Sequence, residues 1–161
     1  MIAPDLSTAI EAATANYFRL VLLVGVPASG KSLRMRDFAS AHGYPYVSLS
    51  GPTAARLLEF SERQRRQRVG QIIGDLVEAA GGAVTLLDDI ELLFQPALAT
   101  DPLRLLQMLS RNRTLVATWP GMFADDLLWY ADVGHLEYCS YCAPEAVIVT
   151  MGVMPNLASP T

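Results

Sequence analysis

The sequence predicts an α/β fold built on a mainly parallel, five-stranded sheet, and three observations lead there. Leu20-Val21-Leu22-Leu23-Val24 is a continuous apolar run, as in a central strand buried on both faces, and it leads straight into a glycine-rich loop. A second run, Ala83-Val84-Thr85-Leu86-Leu87, ends on two carboxylates, Asp88 and Asp89. Segments with helical spacing alternate with these and with further short apolar stretches, the order that produces parallel strands joined by helices.

The glycine-rich loop is Gly25-Val26-Pro27-Ala28-Ser29-Gly30-Lys31-Ser32, which satisfies G-x-x-x-x-G-K-[ST], the Walker A or P-loop pattern. Its glycines let backbone N–H groups converge on phosphate oxygens, and the helix that follows adds a favourable dipole. Lys31 is the only lysine in a chain with eleven arginines. A compact ammonium on a flexible stem reaches between the β- and γ-phosphates of ATP, where a planar guanidinium is wide and geometrically demanding. Ser32 supplies a hydroxyl for Mg²⁺. A chance match would not bring both the preceding strand and the following helix.

The elements then follow in order. Residues 6–18 read as an amphipathic helix, with Leu6, Ile10, Ala13 and Tyr17 at helical spacing. After the loop, Leu33, Met35, Phe38, Ala39 and Ala41 mark a helix closed by Gly43. Tyr44 to Leu49 is a short second strand, with Pro45 near its start. Residues 53–60 and 66–80 are helical, and Gly81-Gly82 stops the second helix. The run from Ala83 to Asp89 is the third strand. Asp101 is an N-cap and Pro102 a first helical residue, opening a helix whose buried stripe is Leu103, Leu105, Leu106 and Leu109. Thr114 to Thr118 is the fourth strand, residues 124–131 read as helical through Leu127, Leu128 and Tyr130, and Ala146 to Thr150 is the fifth strand. The expectation is a single P-loop NTPase domain over residues 1–153, with an N-terminal helix and a polar tail at 154–161. Its architecture is a three-layer sandwich, an AAA+-like core with no room after the fifth strand for a helical lid domain.

Asp88, at the tip of a buried strand, matches a Walker B element, because hydrated Mg²⁺ needs a carboxylate close to the P-loop hydroxyl of Ser32. Asp89 occupies the position where many P-loop ATPases carry a glutamate that polarises the attacking water. It is one methylene shorter, and Glu91 is the alternative two residues on. Both carboxylates also suit a plain solvated cap. Thr118, at the tip of the neighbouring strand, is a sensor of the γ-phosphate or simply a strand-end threonine. The expected site therefore comprises residues 25–32 for ATP, Ser32 and Asp88 for Mg²⁺, and Lys31, Asp88, Asp89 and Thr118 for chemistry.

Composition bounds the rest. With 161 residues, 52% apolar and 17% charged, the chain reads as one globular domain. No apolar run is long enough to span a bilayer, and the N-terminus lacks the basic start of a secretory signal, so the expectation is cytoplasmic with no membrane partner. A net charge of −4 gives no global attraction to nucleic acid. The one basic cluster, Ser61 to Arg68, carries Arg63, Arg65, Arg66 and Arg68. It could meet DNA phosphates, an acidic partner or water, and it lacks aromatics for base stacking. Arg111 and Arg113 fall at the N-terminal edge of the sheet, away from the nucleotide, where they brace the fold or an interface. His135, Cys139 and Cys142 offer three ligands where zinc takes four, so the cysteines read as free thiols.

Beside the two Walker elements stands a more specific stretch, Asp101-Pro102-Leu103-Arg104-Leu105-Leu106 through Ser110-Arg111-Asn112-Arg113-Thr114. With it in view, the chain resembles BrxF, the small P-loop protein of BREX bacteriophage-defence systems. The resemblance runs from about Tyr17 to Tyr141 and includes Tyr44-Pro45-Tyr46 and Gly134-His135-Leu136-Glu137-Tyr138. It implies a role in discriminating or blocking invading phage DNA alongside other BREX proteins. Two functional classes stand: a Mg²⁺-dependent ATPase acting as a self-associating switch or motor, and a nucleotide-binding assembly or adaptor module with little or no hydrolysis. A small-molecule kinase is a third, without an evident acceptor pocket or arginine-rich lid.

Overall fold

Alternation within one strand organises the molecule. The computed structural model describes residues 5–151, and its elements are α1 (Leu6–Thr14), β1 (Leu20–Val24), α2 (Lys31–His42), β2 (Tyr46–Ser48), α3 (Ser50–Leu57), α4 (Glu62–Ala80), β3 (Val84–Asp88), α5 (Pro102–Leu109), β4 (Thr114–Trp119), β5 (Met122–Ala124), β6 (Leu127–Tyr130), β7 (Cys139–Cys142) and β8 (Val147–Thr150). Short 3₁₀ turns at Glu91–Phe94 and Pro96–Leu98 join β3 to α5. Within β1, Leu20, Leu22 and Val24 enter one hydrophobic cluster with Ile73 and Val77 of α4 and Leu106 of α5. Val21 and Leu23 enter another, with Leu6 and Ile10 of α1 and Met35 and Ala39 of α2. Both faces of the strand are therefore covered by helices, which is why its sequence is apolar throughout. Each such leucine or valine contributes about 1.5–3 kcal/mol of burial.

The expected parallel sheet has five strands in the order β2-β3-β4-β1-β8, and every pairing is parallel. From β1 the chain crosses to the edge at β2 and returns through β3 and β4, which pairs with β1. The C-terminal ends of β1, β3 and β4 thus lie side by side, and ligands of open α/β sheets bind along such an edge.

Caps set several boundaries. Asp5 accepts the Thr8 N–H at 2.8 Å to open α1, and Asp101 accepts the Arg104 N–H at 3.1 Å to open α5, with Pro102 at its first position. Ser61 and Gln64 form a capping box at α4. That helix therefore starts earlier than the spacing predicts, and its first turns hold the arginine cluster.

Three expectations are corrected. Residues 124–131 are not a helix. Ala124 pairs with Leu127 across a two-residue turn whose centre, Asp125 and Asp126, has φ of 50° and 63°, and β5 and β6 form a hairpin. Aspartate tolerates the left-handed region, and that conformation suits the twist of a hairpin. Together with β7 the hairpin makes a separate antiparallel sheet of three strands, which the sequence did not suggest. The first helix ends at Thr14, leaving Tyr17 exposed, and Leu33 of α2 faces solvent rather than the core.

The small sheet is fastened at the end of β4. Trp119 is fully buried, packs edge-on against Phe94 and Tyr141, and donates its indole N–H to the Trp129 carbonyl at 3.2 Å. Gly121 permits this approach, since a Cβ there would lie 2.0 Å from the same Trp129 oxygen. Among the described residues no helix is long and apolar enough to cross a membrane. The tail expected at 154–161 lies outside the described residues.

Candidate nucleotide site

The glycine-rich loop leaves β1 at Val24, and the Gly25 N–H bonds the Trp119 carbonyl at 3.1 Å, continuing the β1–β4 ladder for one more residue. The chain then turns through Ala28 at φ 65° and Gly30 at φ 91° before α2 begins at Lys31. A side chain at position 25 is excluded, because a Cβ would meet Ser29 Oγ at 2.5 Å and Met151 Cγ at 2.8 Å. Lys31 is buried, and its Nζ donates to the Val26 carbonyl at 2.9 Å. Burial lowers its pKa, and the negative charges of Glu91 and Asp88 act against that shift.

Asp88 gathers the other elements around it. It ends β3 and is only 4% exposed, so its carboxylate depends on protein donors. Oδ1 accepts the Thr118 hydroxyl and the Asp89 N–H, each at 2.8 Å. Oδ2 accepts the phenol of Tyr46, and Ser32 borders the same cleft. Burial is the largest single influence and pushes this carboxyl up, but the combined pull of the Tyr46, Ser32 and Thr118 hydroxyls and the Asp89 N–H outweighs it. The pKa stays below the usual value. The same contact, together with burial, drives the Tyr46 phenol well above its ordinary range.

Asp89 is held in a left-handed conformation, φ 58°, by the corner between β2 and α3. Its carbonyl accepts the Ser50 N–H at 3.1 Å and the Ser50 hydroxyl at 2.5 Å, and its carboxylate accepts the Ser48 hydroxyl at 3.2 Å. Glu91 opens the 3₁₀ turn that follows, and its carboxyl is pushed up to about 7, by burial first and then by its hydrogen bond with Asp89. The negative charges of Asp89 and Asp88 beside it push in the same direction. A cleft of about 440 Å³ brings Lys31, Ser32, Asp88, Asp89 and Glu91 together with Arg36 of α2.

The structure thus unites the loop residues Gly25, Val26, Pro27, Ala28, Ser29 and Gly30, Lys31, Ser32, Asp88 and Asp89 at one edge of the sheet. It sets Thr118 against Asp88, so that the threonine hydroxyl proton is used on the carboxylate. Tyr46 and Arg36 are the residues that sequence reasoning missed. Only the strand pairing brings Tyr46 here: β2 pairs with β3 in a register that sets Ser48 beside Asp88 and Tyr46 two residues below.

The donor set suits Mg²⁺. Asp88 and Ser32 are hard oxygen donors, and the described residues contain no cluster of three or more His, Cys, Asp or Glu that could cage a metal unaided. Mg²⁺ characteristically takes one or two protein oxygens and completes its shell with water and phosphate.

Other expected features lie elsewhere. The arginine cluster lines none of this cleft. Arg65 Nε donates to the carbonyls of Leu57 and Phe60, both at 2.9 Å, and Arg68 lies 4.7 Å over the Phe60 ring. Arg63 and Arg66 remain exposed. Arg111 covers the Tyr17 ring at 4.9 Å and Arg113 donates to the Val77 carbonyl at 3.1 Å, so both brace the far edge of the sheet. Cys139 and Cys142 are free thiols on β7, and His135 Nδ1 accepts the Glu137 N–H at 3.0 Å.

No protein-family profile and no curated protein matches the chain. Among solved structures, C. elegans PCH-2 is similar over 90% of this chain and 38% of its own length, at 17% identity and a TM-score of 0.46. The chain therefore spans well under half of that protein. The BREX resemblance rests on the sequence motifs alone.

Proposed function

We propose that this chain binds ATP in its glycine-rich loop and hydrolyses it with Mg²⁺, as a P-loop ATPase with a three-layer, AAA+-like core. One observation carries the reading: a buried lysine, a hydroxyl, an acceptor carboxylate and two further acids converge in a single cleft at the edge where α/β sheets bind ligands. Backbone N–H groups of Gly30, Lys31 and Ser32, at the open N-terminus of α2, cradle the phosphates, and Lys31 neutralises their charge. Ser32 and Asp88 hold Mg²⁺, which supplies further neutralisation of the phosphate oxygens. The Asp89–Glu91 pair orients the attacking water. As the water oxygen bonds the γ-phosphorus and the bond to the ADP oxygen breaks, the water proton passes to the Glu91 carboxylate.

A second reading, a nucleotide-binding assembly or adaptor module with little hydrolysis, is favoured by the short Asp89 side chain and its engagement by Ser48. Steady-state turnover measured beside ATP affinity separates the two. A wild-type chain that binds ATP and turns it over no faster than Glu91→Gln is an adaptor.

The setting is also a proposal. The stretch from Asp101 to Thr114 supports membership of a BREX defence complex, with self-association and other BREX proteins as partners. Sedimentation with and without a non-hydrolysable ATP analogue tests self-association, and co-purification with the other BREX proteins tests the complex.

A further inference from the structure

We infer that Arg36 is a ligand of the γ-phosphate, supplied by the chain itself, and that it lets the site tell ATP from ADP. The inference rests on the P-loop reading above and names how that site chooses its nucleotide.

Helix geometry brings the guanidinium to the cleft. α2 begins at Lys31, so Ser32 lies in its first turn and Arg36 stands four residues on, on the same face. Side chains on a helix lean back toward its N-terminus, and an arginine reaches about as far as one turn rises, ~5.4 Å. Arg36 accordingly lines the cleft beside Ser32, Tyr46 and Asp88. Its positive charge also acts on the Tyr46 phenol, opposing the rise that burial and Asp88 produce there, and that phenol donates to Asp88 Oδ2. The guanidinium is thus within electrostatic reach of the group that touches the metal-binding carboxylate.

Charge gives the guanidinium a task at this position. The cleft holds three carboxyl groups, Asp88, Asp89 and Glu91, against two cations, Lys31 and Arg36. The α- and β-phosphates of either nucleotide rest on the loop amides and Lys31. A γ-phosphate extends beyond them toward the acids, and its added negative charge is repelled unless positive charge stands close by. Mg²⁺ offsets part of that repulsion, and Arg36 is the remaining cation of the cleft. Its planar fork presents several N–H donors in a geometry matched to phosphate oxygens. Arg36 is also exposed, whereas Arg65 and Arg113 are half-buried and committed to backbone carbonyls, so taking a new partner costs Arg36 no buried contact. With ADP the guanidinium stays in water.

Isothermal titration of the full chain with ADP and with a non-hydrolysable ATP analogue, both with Mg²⁺, compares wild type, Arg36→Gln and Arg36→Lys. Arg36→Gln should weaken analogue binding about tenfold or more, the worth of a hydrogen bond to a charged group, and leave ADP affinity within about twofold. Arg36→Lys should recover part of the loss, since it keeps the charge without the fork. A second measurement needs only wild type. An arginine-selective dicarbonyl reagent, read by peptide mapping in a mass spectrometer, should modify Arg36 in the free and ADP-bound chain and far less with analogue and Mg²⁺ bound. An equal loss for both nucleotides, an unchanged ratio of their affinities, or the same labelling of Arg36 in the two complexes overturns the inference and leaves Arg36 a surface charge. A wild-type chain that binds neither nucleotide overturns the P-loop reading itself.

Discussion

Lys31 spans its own loop: its Nζ donates to the carbonyl of Val26, 2.9 Å away, across the turn where phosphates would lie. The ammonium is therefore fixed in place by the loop rather than searching from solvent. Lys31→Ala should cost about 100-fold or more in ATP affinity by isothermal titration, as expected for losing a charge-assisted contact in a desolvated site. Far-ultraviolet circular dichroism should be unchanged. A folded variant with full affinity would place the phosphates elsewhere.

Asp88→Asn should separate metal use from nucleotide binding. An amide has one acceptor oxygen where the carboxylate has two, and its NH₂ would face the hydroxyl of Tyr46 or of Thr118, which now donate to this position. Mg²⁺-dependent turnover should fall about 100-fold or more, while analogue affinity in EDTA stays within about threefold. Turnover equal to wild type would move the metal ligand to Asp89.

Glu91 gives the pH dependence. Its folded-state pKa, about 7, lies above the ordinary value of 4.5, so the folded protein holds this proton more tightly than the unfolded chain. The stabilisation is complete below the unfolded value and is lost as pH rises through 7. Discounted for the half of the side chain left in water, the loss is on the order of 1 kcal/mol. Glu91→Gln should therefore be more stable than wild type at pH 8 and nearly equal at pH 4, by urea denaturation in EDTA. Wild-type turnover should rise through neutrality as the base forms.

The arginine cluster is not four equivalent charges. Arg65 holds two carbonyls at the end of α3, so Arg65→Gln should lower stability by about 1–2 kcal/mol. Arg63→Gln with Arg66→Gln should leave the melting temperature and ATP affinity intact. If both touch DNA phosphates, the salt slope of duplex binding flattens by about 1.8, at about 0.9 per contact. An unchanged slope assigns the exposed pair to solvent or a protein partner.

Gly121→Ala should be among the most damaging small changes away from the cleft. Its Cβ would sit 2.0 Å from a backbone oxygen, which no side-chain rotation relieves. A loss of about 3 kcal/mol or more in denaturant unfolding is expected. A neutral result would mean that the hairpin can slide off β4.

The main sheet was legible because two-sided burial writes itself as unbroken apolar runs, as in Leu20–Val24, and because Asp101-Pro102 and Gly43 punctuate helices unambiguously. The loop and Asp88 were legible for the same reason, since each sits at the end of such a run. The small sheet was not. Leu127, Leu128 and Tyr130 fit a helical stripe as well as a strand, and only the left-handed Asp125-Asp126 pair settles the choice, a conformation that spacing does not encode. Tyr46 was missed because its partner, Asp88, lies 42 positions away across a strand pairing.

The chain has two tryptophans, and both meet at a single hydrogen bond, from the Trp119 indole to the Trp129 carbonyl. Intrinsic fluorescence of this protein is therefore a local gauge. It reads the seam between the two sheets, so an experimenter can watch that seam loosen without adding a dye.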